Sequence, residues 1–219
     1  MRTAAILLAG GFGTRMESAS PKQYLTLKGK PIAQHSFDLF REMDEIYEIV
    51  VVCQKEYEPL FPGATFARPG KRRQDSMANG FYALKSSPLF CLIHDSARPL
   101  VSKEDVRNCI KACSETGAAA LGVPIRFTVK EINESQHVVS TPNRSQLWEI
   151  QTPQVIREPL LRKGLKFIEE REVAVTDDVS IVEALNLPVK IVEGSRMNLK
   201  VTVPEDLIIA ETFLNEIHS

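Results

Sequence analysis

The chain has 219 residues, of which 43% are hydrophobic and 25% charged, ordinary globular values that set aside wholesale disorder and fibrous repeats. Its 27 lysines and arginines against 28 aspartates and glutamates leave a net charge of −1, which argues against a surface built to grip nucleic acid. No apolar run approaches the ~20 residues of a membrane span, so neither a nucleic-acid nor a membrane partner is expected.

In chain order, Thr3 to Ala9 reads as a buried strand rather than a signal peptide, and a cytoplasmic, reducing location is the expectation. Pro31 to Met43 reads as a helix, Glu48 to Cys53 as a strand, and Arg73 to Leu84 as a helix with Met77, Phe81 and Leu84 on one face. Leu89 to His94 is the next strand. Ser102 opens a helix with acids in its first turn. Gly117 to Val123 is a strand, Arg157 to Glu170 a helix, Val189 to Val192 a strand, and Pro204 to Ile217 a closing helix. Cys53, Cys91, Cys109 and Cys113 form no CxxC pair and sit in apolar stretches, so they read as core.

This alternation predicts one α/β domain over 1–219, with a mostly parallel sheet covered on both sides. Ligands of such sheets bind beyond the C-terminal strand ends. Residues 126–147 interrupt the pattern. Two polar, strand-like stretches flank Asn133-Glu-Ser-Gln and read as a β-hairpin with little apolar surface. It suits either a hairpin lying on the domain or an arm docking on a second subunit.

Three segments carry chemistry. The first strand empties into Ala9-Gly10-Gly11-Phe12-Gly13-Thr14-Arg15, followed by Pro21-Lys22-Gln23-Tyr24. Successive backbone N–H groups in a glycine loop make an anion nest, and Arg15 and Lys22 add full charges suited to phosphate. The pattern is neither a Walker A loop nor a dinucleotide fingerprint, since Met16 stands where the third glycine would fall. The second segment is His94-Asp95-Ser96-Ala97-Arg98-Pro99. Asp95 suits a Mg²⁺ anchor that leaves other ligand positions to phosphate and water, or else a turn cap. His94 reads as structural. The third segment, Gly70-Lys-Arg-Arg73-Gln-Asp-Ser76, is either a solvated edge or an anion site at a helix start.

Taken in order, GGFGTRM, PKQYL, RRQDS, HDSARP, the hairpin, LWEIQTPQ, TDDVS, VEGS and NLKVTVPEDL resemble the nucleotidyltransferases that activate sugar and polyol phosphates. The likeness is strongest to the 2-C-methyl-D-erythritol 4-phosphate cytidylyltransferase family of non-mevalonate isoprenoid synthesis, and it spans nearly the whole chain. It implies a Rossmann-like nucleotidyltransferase domain that moves CMP from CTP to methylerythritol phosphate with Mg²⁺. By that resemblance Ala9, Gly10, Gly11 and Gly13 would wrap the CTP phosphates, and Arg15 and Lys22 would stabilise the transition state. Gly70, Arg73 and Ser76 would surround cytosine, Ser96 would approach the ribose, and Asp95 would hold the metal. Arg98, Thr176 and Lys200 would line the acceptor side. Thr128 and Arg144 would reach the partner's site from the hairpin of a homodimer. The chain departs from the family's usual pattern at Leu8-Ala9-Gly10-Gly11, at Ser96 and at Phe127. The rival expectations are a ribitol 5-phosphate cytidylyltransferase and a non-catalytic nucleotide-binding regulator.

Overall fold

The computed structural model describes residues 2–11 and 21–217. Gly13 and Arg15 therefore lie outside the described residues. In chain order the elements are β1 (Thr3–Leu8), β2 (Thr26–Leu27), β3 (Lys30–Pro31), α1 (Ile32–Arg41), β4 (Ile46–Val52), β5 (Thr65–Ala67), α2 (Arg73–Tyr82) and β6 (Phe90–Asp95). They continue with α3 (Lys103–Thr116), β7 (Ala118–Pro124), β8 (Glu131–Ile132), β9 (Val138–Ser140), β10 (Trp148–Arg157), α4 (Glu158–Glu170), α5 (Ser180–Glu183), β11 (Lys190–Glu193) and α6 (Pro204–Ile217).

Among the described residues seven strands form the central sheet, in the order β11-β7-β10-β6-β1-β4-β5. β1 pairs in parallel with β4 on one side and with β6 on the other. The chain thus winds outward from β1 in one direction, then returns to start β6 on its opposite edge. That reversal opens a crevice beyond the paired ends Leu8 and Asp95, the place where open α/β sheets bind ligands.

Strand alternation sends successive side chains to opposite faces, and each face is covered. Leu7, Val51 and Leu92 pack with Phe37 and Phe40 of α1 and Cys109 and Cys113 of α3. Ile6, Val50 and Ile93 pack with Met77 and Phe81 of α2 and Leu161 and Leu165 of α4. A smaller cluster joins Leu27 and Ile32 to Val201 and Leu214, seating α6 against the β2–β3 region. All four cysteines are free and buried, in keeping with a core role.

Two differences from the sequence-based expectation matter. Pro31 belongs to β3, paired with Thr26, and α1 begins one residue later. More important, β10 was not anticipated. Its centre, Gln151-Thr-Pro-Gln154, is polar and holds a proline, which weakens a strand assignment. The strand nonetheless lies between β6 and β7, antiparallel to both. Its register on β7 shifts between Ile150 and Gln154, and Pro153 falls in that irregularity, where a missing N–H breaks no ladder bond.

Between β7 and β10 the chain makes an excursion. Ile125 N donates to Leu147 O at 3.1 Å at its root, and β8 pairs antiparallel with β9 further out. Phe127 is 78% exposed, and Ile132, Val138 and Val139 each more than half exposed.

Candidate active site

The site forms where two loops abut at the end of the sheet. A Cβ on Gly10 would stand 2.3 Å from Pro69 Cγ, so only glycine allows the loop after β1 to approach the segment before α2. A Cβ on Gly70 would stand 2.4 Å from Asp75 Cβ, so that segment can fold tightly over the start of α2. Gly70 N donates to Ser76 Oγ at 3.0 Å, and Ser76 Oγ donates to Arg72 O at 3.2 Å. Asp75 accepts from Arg72 N at 3.0 Å and pairs with the Arg72 guanidinium at 2.7 Å.

The cleft between these loops has a volume of about 390 Å³. Among the described residues its walls carry five cations, Lys22, Lys71, Arg72, Arg73 and Lys200, against one carboxylate, Asp95. Gly10, Gly11, Gly70, Ser76 and Ser96 also line it, while Ala9, next to Gly10, is fully buried and not part of the lining. Such a wall suits a polyanion. A larger groove of about 510 Å³ between α2 and α4 has the opposite character, with Asp75, Glu169 and Glu172 facing Arg72.

Four charged groups alternate across the back of the cleft. Asp178, almost fully buried, accepts two 2.7 Å bonds from Arg73. Arg73 also donates to Asp95 Oδ1 at 2.9 Å, and Lys200 Nζ donates to Asp95 Oδ2 at 2.6 Å. Burial opposes the charge on Asp95, but Arg73 and Lys200 outweigh it and hold the carboxyl well below the usual range. Asp95 is therefore held in its ionised form.

Each member is held from a different element. Gln154 of β10 accepts from Asp178 N and Val179 N, both at 2.8 Å, through Oε1. Thr152 Oγ1 accepts from Asp95 N at 3.0 Å and lies 3.0 Å from His94 Nδ1. His94 Nε2 lies 3.1 Å from Arg98 O. A neutral ring that donates to Arg98 O and accepts from the threonine satisfies every atom. Full burial pushes His94 down to about 4, consistent with that neutral form. Lys200 is placed by its neighbour: Val201 N donates to Ala97 O at 2.8 Å, and Lys22 Nζ donates to Val201 O at 2.7 Å.

A second cleft of about 290 Å³ adjoins the first, walled by Arg98, Glu149, Gln151, Arg196 and Lys200 among others. Lys200 lines both clefts. Arg98 Nη1 donates to Asn198 O at 2.7 Å, and its Nε is buried without a partner among the described residues. Arg196 also donates to Pro124 O, at the root of the hairpin.

The expected site residues thus divide. Lys22, Gly10, Gly11, Gly70, Arg73, Ser76, Asp95, Ser96 and Lys200 meet around the first cleft, and Arg98 faces the second. Thr176 is exposed, its hydroxyl 3.5 Å from Ser180 Oγ, and its neighbour Asp178 carries the contact to the site. Thr128 and Arg144 are exposed on the hairpin, and Arg144 donates to Arg126 O at 3.2 Å. Sequence reasoning missed Asp178, Gln154, Thr152 and Arg196. The first three lie in the LWEIQTPQ and TDDVS motifs, from which the resemblance singled out Thr176 alone.

The family model for 2-C-methyl-D-erythritol 4-phosphate cytidylyltransferase, IspD, matches residues 3–216. The chain belongs to this family. The cytidylyltransferase of that name from Oryza sativa subsp. japonica, described as chloroplastic, is 48% identical over 97% of this chain and 74% of its own length. The one from Desulforamulus reducens is 40% identical over 96% of this chain and 94% of its own. Among solved structures, the 4-diphosphocytidyl-2C-methyl-D-erythritol synthase of Anaerococcus prevotii superposes with a TM-score of 0.85 at 29% identity, covering 98% of each chain. The cytidylyltransferase of Francisella tularensis gives 0.86 at 27% identity, over 97% of this chain and 99% of its own.

Within an IspD fold, the donor set around Asp95 decides what metal it could hold. Among the described residues no three His, Cys, Asp or Glu side chains gather into a metal-binding group, so a cage built by protein alone does not fit. A single ionised carboxylate lining a cationic cleft does fit Mg²⁺, which takes one or two carboxylates and draws its other ligands from phosphate and water; the metal would share Asp95 with Arg73 and Lys200. No helix among the described residues is long and apolar enough to cross a membrane.

Proposed function

We propose that this chain is a cytidylyltransferase that transfers CMP from CTP to 2-C-methyl-D-erythritol 4-phosphate, giving 4-diphosphocytidyl-2-C-methyl-D-erythritol and pyrophosphate. The family match over residues 3–216 carries this reading. The two clefts that meet at Lys200 support it by offering adjoining places for a triphosphate and a phosphate acceptor.

In the proposed reaction a phosphate oxygen of the acceptor attacks the α-phosphorus of CTP, and pyrophosphate leaves as the P–O bond to it breaks. The attacking phosphate is already ionised, so no general base is needed. The chain's work is positioning and charge stabilisation. Gly10, Gly11 and Gly13 cradle phosphate through their N–H groups, while Gly70, Ser76 and Ser96 border the nucleoside. Arg15 and Lys22 meet the charge that develops on the α-phosphate. Lys200, at the junction, faces both reactants. Arg98 lines the acceptor half, whereas Thr176 lines neither cleft. Mg²⁺ entering with the nucleotide would be held by Asp95 and would neutralise triphosphate charge. Arg73 keeps Asp95 aimed at the cleft.

The exposed apolar side chains of the hairpin favour a homodimer in which the arm carries Thr128 and Arg144 to the other protomer's acceptor. A cytoplasmic enzyme is the reading that four free, buried cysteines favour.

Pyrophosphate release should be measured with each of four nucleoside triphosphates against methylerythritol phosphate, ribitol 5-phosphate and related acceptors, with and without Mg²⁺. Release confined to CTP with methylerythritol phosphate is the expected result. Release with ribitol 5-phosphate instead would replace the acceptor, and no release with any pair would remove the enzymatic reading.

A further inference from the structure

Each described carbonyl oxygen of the loop after β1, on Ala9, Gly10 and Gly11, is engaged by a side chain. Gln23 Nε2 donates to Ala9 O and to Gly11 O, each at 2.8 Å. Tyr24 Oη donates to Ala9 O at 2.7 Å. Gln54 Nε2 donates to Gly10 O at 3.1 Å. Both lone pairs of Ala9 O are thereby used, and three consecutive carbonyls are fixed by side chains from two other segments.

In a trans peptide the N–H of one residue points opposite to the C=O of the residue before it. Fixing Ala9 O and Gly10 O therefore fixes the direction of the Gly10 and Gly11 N–H groups. Among the described residues neither of those N–H groups donates to an acceptor, and both glycines line the cationic cleft. A free loop of this composition could turn a carbonyl toward the cleft and repel a phosphate.

We propose that Gln23, Tyr24 and Gln54 are positioning residues that preset Gly10 and Gly11 as an anion nest, holding the carbonyls of residues 9–11 back so that the two glycine amides stay available to the triphosphate. This rests on the reading of the cleft as a nucleotide site.

Details of the three side chains fit the role. Tyr24 is stacked on Tyr57, ring centroids 3.5 Å apart, which fixes its hydroxyl. Burial raises its pKa, so it remains a donor throughout the working range. Gln54 Oε1 is buried without a partner among the described residues. A residue present only to fill space there would be better as a methionine or leucine, which bury no unpaired acceptor. The amide is retained for its N–H.

The test compares the wild-type chain with Tyr24→Phe, Gln54→Met and their double variant. Each substitution keeps the shape and removes a donor. Calorimetric binding of CTP and of inorganic triphosphate, KM for each substrate, kcat and the thermal midpoint are measured. The double variant should bind both triphosphates roughly tenfold more weakly or worse, the cost of about one hydrogen bond from an amide no longer aimed at the ligand. KM for the acceptor should be essentially unchanged, and the thermal midpoint should fall only modestly, as two lost internal hydrogen bonds require. If the double variant does not fold, Tyr24→Phe and Gln54→Met are read singly, each removing one donor, to Ala9 O and to Gly10 O. Equal triphosphate affinity in wild type and folded variant overturns this proposal alone. A wild-type chain that binds no triphosphate removes the nucleotide reading and this proposal with it.

Discussion

Lys200 Nζ lies 2.6 Å from Asp95 Oδ2, joining the segment before α6 to the last residue of β6 across 105 positions of sequence. Because Lys200 also lines the second cleft, its removal should touch both substrates. Lys200→Ala is expected to lower kcat/KM by ~10²–10³-fold, the usual size for a lost transition-state charge contact. KM should rise for nucleotide and acceptor together. Its side chain is 37% exposed, so the thermal midpoint should fall only slightly. Steady-state kinetics with each substrate varied in turn checks this.

Lys22 should behave differently. It is anchored on Val201 O at 2.7 Å and lines the first cleft but not the second. Lys22→Ala should cost ~10²–10³-fold, mostly in kcat, with KM for the acceptor little changed. A folded variant with near-normal kcat would remove Lys22 from the reaction.

The abutting loops set a steric prediction. Gly10→Ala places a methyl 2.3 Å from Pro69 Cγ, and the proline ring cannot swing aside as a flexible chain would. The variant should lose about 1–3 kcal/mol of stability, the common cost of overpacking, and should raise KM for the nucleotide. Gly11→Ala is the control, since a Cβ there meets nothing within 4 Å. Denaturant melts of the two variants separate the cases.

Stability against pH should report His94. Its folded pKa, about 4, lies below the ~6.5 of an unfolded histidine. The unfolded chain therefore binds the extra proton first as pH falls. Stability from this group is complete above about pH 6.5 and is lost progressively toward pH 4, a change of about 3 kcal/mol. His94→Gln should flatten that part of the curve at lower overall stability. Urea titrations at half-unit pH steps between 7 and 4 measure the slope. Asp95, held ionised by Arg73 and Lys200, should contribute only at the bottom of that window, below about pH 5, where the unfolded carboxylate begins to take up protons.

The hairpin prediction concerns mass. Light scattering at micromolar concentration should give twice the 24.5 kDa of one chain. Introducing charge on the exposed apolar side chains, as in Phe127→Asp with Val139→Asp, should shift the mass toward the monomer. A wild-type mass near 24.5 kDa would contradict the arm exchange.

The legible parts of this molecule were those where one residue type does one local job. Apolar runs such as Glu48 to Cys53 marked the parallel strands, and glycines followed by basic residues marked the loops at their ends. The strand β10 escaped because its middle is polar for a reason that only the tertiary structure supplies. Thr152 holds the Asp95 backbone, and Gln154 holds the loop of Asp178. Asp178 itself was hidden in a plausible turn sequence, since nothing local distinguishes a carboxylate destined for Arg73, 105 residues away. Thr176, chosen from the same segment by resemblance, sits exposed two positions before it.

The direction of β10 has a topological consequence. Parallel neighbours must be joined by a crossover that carries the chain back to the opposite edge of the sheet. β7 and β10 are antiparallel, so the chain between them leaves and re-enters at one edge and may be any length. β7 runs the same way as β6 and β1, since β10 opposes both β6 and β7. That shared edge is therefore the one bearing Leu8, Asp95 and the clefts. A single reversed strand converts a connection that would otherwise be a covering helix into an excursion that leaves and re-enters on the side of the sheet where the clefts lie. An arm can be added, lengthened or reshaped there without redrawing the sheet beneath it.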